Sequence, residues 1–148
     1  MSTALKITSA AFHNGGSIPE VYTCKGKNIS PPLSITGVPD SAKSLTLIME
    51  DPDAPMGTWD HWIVFNINPK TAAIGEDEEP AGIHGKGSGD NLTYVGPCPP
   101  SGIHRYYFKV YALDIMLSLS EGATKDEVYK VMAGHILADG ELVGKYGK

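Results

Sequence analysis

Glycine and proline recur at short intervals from one end of this chain to the other, seventeen of the first and eleven of the second among 148 residues. Glycine weakens a helix through its backbone entropy and proline through its missing donor, whereas both suit the turns between short strands. The chain therefore reads as mainly β. The segments between the breaks agree: "LKITSAAF" (5 to 12), "LTLIME" (45 to 50), "HWIVFNI" (61 to 67), "LTYVG" (92 to 96) and "RYYFKVYALD" (105 to 114) are rich in β-branched and aromatic residues. "HWIVFNI" is apolar almost throughout, which predicts a central strand covered on both faces.

One segment has another period. In "ATKDEVYKVMAGHILADG", Val128, Val131, Met132 and His135 fall on one helical face, Thr124 and Glu127 fit a capping box, and Gly140 suits the exit. Gly134 inside such a helix costs about 1 kcal/mol relative to alanine. The helix is expected to pack on the β core. Residues 70 to 91, where acids give way to glycines, read as a long irregular loop with a role or with mobility.

A chain of this length suits one domain, residues 1–148. Seventeen acids against twelve bases give a formal charge of −5, which disfavours nucleic acid as a partner. No apolar stretch approaches the roughly 18 residues of a membrane span, and the start lacks a basic region followed by an apolar segment, so a cytoplasmic protein without integral membrane association is expected. Cys24 and Cys98 have no metal-type spacing; in a reducing cytosol they are expected as free thiols, a bridge between them being the alternative.

Chemistry concentrates in two places. The first is "DPDAPMGTWDHW" (51 to 62), where Pro52 and Pro55 stiffen what reads as an extended segment leaving a strand. Asp51 and Asp53 then share a face and call for a cation or donors, with His61 nearest in sequence; alternatively both are turn residues accepting from nearby backbone N–H groups. The second is "YVGPCPPSGIHRYYF" (94 to 108), where Pro97, Pro99 and Pro100 leave Cys98 as the sole backbone donor of residues 97 to 100. His104 and Tyr106, two apart on a strand, present an imidazole and a phenol to one face. Taken singly, each is more often a satisfied core residue than a ligand.

Together, "DPDAP", "WDHW" and "GPCPPSGIHRYYFKVYALD" resemble the phosphatidylethanolamine-binding protein family, which includes Raf kinase inhibitor protein. "IPEVYTCKGKNISPPL" extends the likeness towards the N-terminus, and "HILADGELVGKY" is similar to the bacterial and archaeal branch. The resemblance implies a β-sandwich of antiparallel sheets with one or two peripheral helices and a small pocket for phosphate, phosphorylated head groups or similar anions. Carried over residue by residue, the pocket takes Asp51, Pro55, Trp59, His61, Pro100, His104 and Tyr106. "GPCPP" departs from the glycine-rich, serine-containing run of the animal members, so the backbone donor there is Cys98. The animal C-terminal helix that covers the pocket has no counterpart after Tyr146. The resemblance also implies partners: a kinase or a serine protease met by loops around the pocket, and a homodimer, since bacterial relatives often pair.

On this reading His61, Tyr106 and the Cys98 N–H donate to the anion, and Asp51 orients or protonates the imidazole of His61, raising its pKa. No cofactor, metal or catalysis is expected. Two rival readings stand beside it. Ser101, His104 and Asp51 contain the side-chain types of a hydrolytic triad but without a G-x-S-x-G elbow. Asp51, Asp53, His61 and His104 include ligand types for zinc but lack its spacing. "GKGSGDN" (85 to 91) lacks the ending of a nucleotide P-loop.

Overall fold

Alternation of apolar and polar side chains, and its absence, sorts the strands of this chain into layers. The computed structural model describes residues 3–147. Among them nine strands run in chain order: β1 (Thr3–Ala4), β2 (Lys6–Thr8), β3 (Leu33–Thr36), β4 (Ser44–Asp51), β5 (Trp59–Ile67), β6 (Ala73–Ile74), β7 (Ile83–His84), β8 (Ile103–Leu113) and β9 (Ile136–Gly147). A single-turn 3₁₀ helix spans Glu20–Tyr22, and the helix α1 (Lys125–Met132) lies between β8 and β9. A six-stranded sheet runs in the order β1-β9-β8-β4-β5-β7 and a three-stranded sheet in the order β2-β3-β6. Every pairing of these strands is antiparallel except β1 with β9.

β2 and β3 alternate strictly, burying Ile7, Leu33 and Ile35 on one face and leaving polar neighbours outside. That pattern is what a sheet with one wet face requires. β4 is buried at all eight positions because both of its faces are covered. Leu45, Leu47 and Met49 join Leu33 and Ile35 in a core between the two sheets, while Ile48 packs with Ile63 and Phe65 of β5 beneath Val128 and Met132 of α1. The protein is thus a β-sandwich with one helix on its outer face. Burial of each large apolar side chain contributes roughly 1.5–3 kcal/mol, so the strongest part of the molecule is the β4–β5–β8 centre. As the sequence led one to expect, "HWIVFNI" is covered on both faces.

Several expectations are corrected. "LTYVG" forms no strand, and "LKITSAAF" keeps strand geometry only at Lys6–Thr8. The capping box is present, with Thr124 Oγ1 accepting from the Glu127 N–H and the Glu127 carboxylate accepting from the Thr124 N–H. The helix nevertheless ends at Met132, because Gly134 takes φ 83° and turns the chain; His135 leaves the helical face and its ring donates to Asp114 at 2.8 Å. The next element, β9, is the longest of the described strands, with Gly140 inside it rather than at a helix exit. Glycine there is required by close approach, since a Cβ on Gly140 would lie 2.2 Å from the Leu5 carbonyl oxygen.

Segment 70 to 91 is not an unstructured loop. It contributes β6 and β7, and its acids are anchors: Glu79 accepts from the indole of Trp62 at 2.8 Å and from the Tyr94 N–H at 3.0 Å, while Glu76 accepts from the Tyr22 hydroxyl. Cys24 and Cys98 are joined rather than free. The fold brings their Cα atoms to 5.4 Å across 74 residues, inside the range a disulfide needs. Sequence spacing carries no trace of that proximity. None of the described helices is long and apolar enough to cross a membrane.

Candidate functional site

The site begins at the last residue of β4. Asp51 is buried, and its two oxygens are both committed: Oδ1 accepts from the Asp53 N–H at 2.8 Å and Oδ2 accepts from His104 Nδ1 at 2.6 Å. His104, also buried, is the second residue of β8, where alternation puts it on the same face as Tyr106 and Phe108. The pyrrolidine rings of "DPDAP" do not extend the chain here; the backbone turns immediately after Asp51. The two aspartates therefore diverge. Asp53 takes three bonds from Arg105, two from the guanidinium at 2.8 and 2.9 Å and one from its N–H at 2.9 Å. That guanidinium holds the Asp53 carboxyl down at about 2.

His61 reaches the same place by an irregularity of β5. The register steps from Met49↔Trp62 to Glu50↔Asp60, so His61 is the extra residue of a β-bulge. Asp60 then shares the helix side of the sheet with Glu50, both bonded to Lys125, while Trp59 stands opposite Asp51. His61 Nδ1 donates to the Val95 carbonyl at 2.7 Å, and a carbonyl only accepts, so the tautomer is fixed and Nε2 faces the other way. The Tyr106 ring lies between the imidazoles, 5.4 Å and edge-on from His61 and 6.4 Å and nearly parallel to His104.

These groups form the floor of a recess of about 370 Å³. All eight residues predicted from sequence line it: Asp51, Pro55, Trp59, His61, Cys98, Pro100, His104 and Tyr106. Sequence reasoning missed Ala54, Met56, Val95, Gly96 and Pro99. A rim position beside Trp59 was the available signal for Met56, but nothing local marked Val95 as the partner of His61. The polar atoms His61 Nε2, His104 Nε2 and Tyr106 Oη have no partner among the described residues, yet none is a closed-off buried atom. They therefore open to the recess.

The far wall is the irregular run 94 to 100, tied to the segment 22 to 28. Tyr94 Oη donates to the Tyr22 carbonyl at 2.7 Å, the Gly96 N–H to Asn28 Oδ1 at 2.7 Å, and the Cys24 N–H to the Pro97 carbonyl at 3.1 Å. Beyond that wall lies a second recess of about 390 Å³, which shares Cys98, Pro99 and Pro100 and adds Cys24, Lys25 and Ser101.

Burial lowers the pKa of His61 and outweighs the raising effects of the Val95 bond, Asp51 and Asp60. This reverses the expectation that Asp51 raises it: Asp51 bonds His104, and desolvation dominates at His61. Burial, reinforced by Asp51 and Asp53, pushes the Tyr106 phenol well up, so it remains a donor. On the opposite face of β4, burial alone would raise the Glu50 carboxyl, but bonds from Lys109 at 2.6 Å and Lys125 at 2.9 Å hold it low.

The rival constellations are not assembled. Ser101 lines the second recess and makes no hydrogen bond with His104. Asp53 is turned to Arg105, and the described residues contain no cluster of three or more His, Cys, Asp or Glu arranged for a metal. His84 donates to the Leu92 carbonyl at 2.8 Å, away from the recess.

Residues 8–147 match the family model described as phosphatidylethanolamine-binding protein. A UPF0098 protein of Methanothermobacter thermautotrophicus is 48% identical, covering 96% of this chain and 98% of its own. A phosphatidylethanolamine-binding protein homologue of Chlamydia trachomatis superposes with TM-score 0.95 at 47% identity, covering 99% of each chain. The Escherichia coli protein YbcL, described as a member of the mammalian PEBP family, superposes with TM-score 0.90 at 28% identity over 99% of each chain.

Proposed function

Since this chain belongs to the phosphatidylethanolamine-binding protein family, we propose that its first recess binds a small anionic or phosphorylated ligand such as phosphate or a phosphorylated head group. The observation that carries this reading is the convergence of His61, His104 and Tyr106 on one opening, each with a polar atom lacking a partner among the described residues. Tyr106 donates in its neutral form. The imidazoles donate their Nδ1–H groups to Val95 and Asp51, so each offers a donor to an anion only when Nε2 is also protonated. A negative ligand therefore binds together with a proton, and the fixed prolines of the walls leave little order to be gained. Calorimetric titration with phosphate and with phosphoethanolamine, at one pH near neutrality and one well below 6.5, tests this. Tighter binding at the lower pH supports the reading; equal affinity at both removes the protonated imidazole from it.

A second reading, docking of a serine protease or kinase on the rim, is favoured by one observation. Met56 is 95% exposed beside Trp59, at 41%, on the lip of the recess. Inhibition of a small panel of serine proteases that is lost in a Met56→Glu variant supports it; an unaffected panel leaves the small-ligand reading.

A further inference from the structure

We propose that the Cys24–Cys98 disulfide is a site of thiol–disulfide exchange whose reduction releases one wall of the anion recess. This rests on the ligand reading above only for its effect on affinity; the release of the wall stands on geometry alone.

Three observations converge. Both cysteines are exposed, so the bond is open to an attacking thiolate. It lies between two recesses: Cys98 belongs to both, while Cys24 and Lys25 belong to the second. A thiol reductant thus has a cavity of its own from which to approach, with a lysine ammonium beside the bond, and need not enter the anion recess. Finally, the bond is the tie of the segment it holds. Residues 98–101 make no hydrogen bond among the described residues, and two of the four, Pro99 and Pro100, have no N–H to give. The neighbours on the N-terminal side are held otherwise, by the Gly96–Asn28 and Cys24–Pro97 bonds, and His61 keeps its bond to Val95. Reduction therefore frees Cys98 to Ser101 while the floor stays in place.

The exchange is balanced with a dithiol as the reductant. Its thiolate attacks one sulfur, the S–S bond breaks, and the other cysteine leaves with the electron pair and takes a proton. The second thiol of the reductant then displaces the first cysteine from the mixed disulfide. The protein gains two electrons and two protons as two thiols, and the dithiol becomes its own disulfide.

The test uses the full chain. Dithiothreitol is added without denaturant, thiols are counted by maleimide mass shift, the reagent is removed under anaerobic conditions, and ¹⁵N relaxation, amide exchange and phosphate binding are compared with the oxidised protein. The expected result is two thiols per chain, and ¹⁵N order parameters at Cys98, Ser101 and Gly102 falling from about 0.85 to below about 0.6, with amide exchange in β4 and β5 unchanged. Phosphate affinity is expected to be weaker by roughly five- to tenfold, because the wall is no longer preorganised. Cys24→Ser, a residue outside the anion recess, is expected to reproduce both effects without reductant. Thiols that appear only in denaturant, or protection lost in β4 and β5 on reduction, overturn the exchange site. Equal phosphate affinity in the two states overturns the gating. If the oxidised protein binds no phosphate, the ligand reading falls, and thiol counting and ¹⁵N relaxation still decide the wall.

Discussion

Asp51 Oδ2 lies 2.6 Å from Nδ1 of His104, two strand ends joined through buried side chains. Replacing Asp51 by Asn keeps the shape but sets an amide against an imidazole that has lost its acceptor in one of two orientations. Asp51→Asn is expected to lower folding stability by about 1–3 kcal/mol, read by urea unfolding, and to weaken phosphate binding.

Tyr106 is buried in the sheet while its hydroxyl opens to the recess. Tyr106→Phe removes one donor and little packing. Stability is expected to change by less than about 1 kcal/mol, whereas phosphate affinity falls roughly tenfold, the size of one hydrogen bond to a charged group. Unchanged affinity would remove the phenol from the proposed site.

His61 has a folded pKa below the ordinary 6.5, because burial disfavours its cation. The unfolded chain therefore binds the proton first, and the stability contributed by the neutral ring is lost as pH falls from 6.5 through the folded value. Bound phosphate acts in the opposite sense by favouring the cation. The thermal shift caused by phosphate is expected to grow as pH falls through this interval, and His61→Gln is expected to flatten that growth.

Glu50 bonds Lys109 of β8 and Lys125 of α1, so one carboxylate fastens the helix to the sheet. Its pKa is depressed from 4.5, and its contribution is present above that value and lost as pH falls through the folded pKa. Glu50→Ala leaves Lys109 without its carboxylate and Lys125 with Asp60 alone, and is expected to cost about 1–3 kcal/mol in chemical denaturation near neutrality, with a shallower acid limb.

Gly96 sits where a Cβ would stand 1.9 Å from the Tyr22 carbonyl oxygen. Gly96→Ala must push the wall away from segment 22 to 28. The expected cost is about 2–3 kcal/mol by thermal unfolding, together with weaker phosphate binding, because Val95 and Cys98 move with the wall.

The β character, the three central strands β4, β5 and β8, and all eight recess residues were legible because each rests on composition or on a long, ordered motif. The features that escaped have a common cause in contacts between distant segments. β9 was hidden because Gly140 and Gly144 look like breaks until Leu5 and Ile18 are seen pressed against them. The Cys24–Cys98 bond and the acid anchors Glu76 and Glu79 likewise depend on partners far away in the chain. The imidazole partner of Asp51 was misassigned for a related reason. His61 is nearer to Asp51 in sequence, but antiparallel pairing of β4 with β8 delivers His104 instead.

The bulge at His61 sets the phase of the strand end on its N-terminal side. Were the bulge ironed out with His61 still in the chain, strict two-residue alternation back from Trp62 would exchange sides for His61, Asp60 and Trp59. The indole would leave the lip for the helix side and abandon Lys125 to a lone glutamate, and a second carboxylate would enter a cavity proposed to hold an anion. A single break in alternation thus keeps negative charge behind the sheet and leaves the mouth of the recess aromatic.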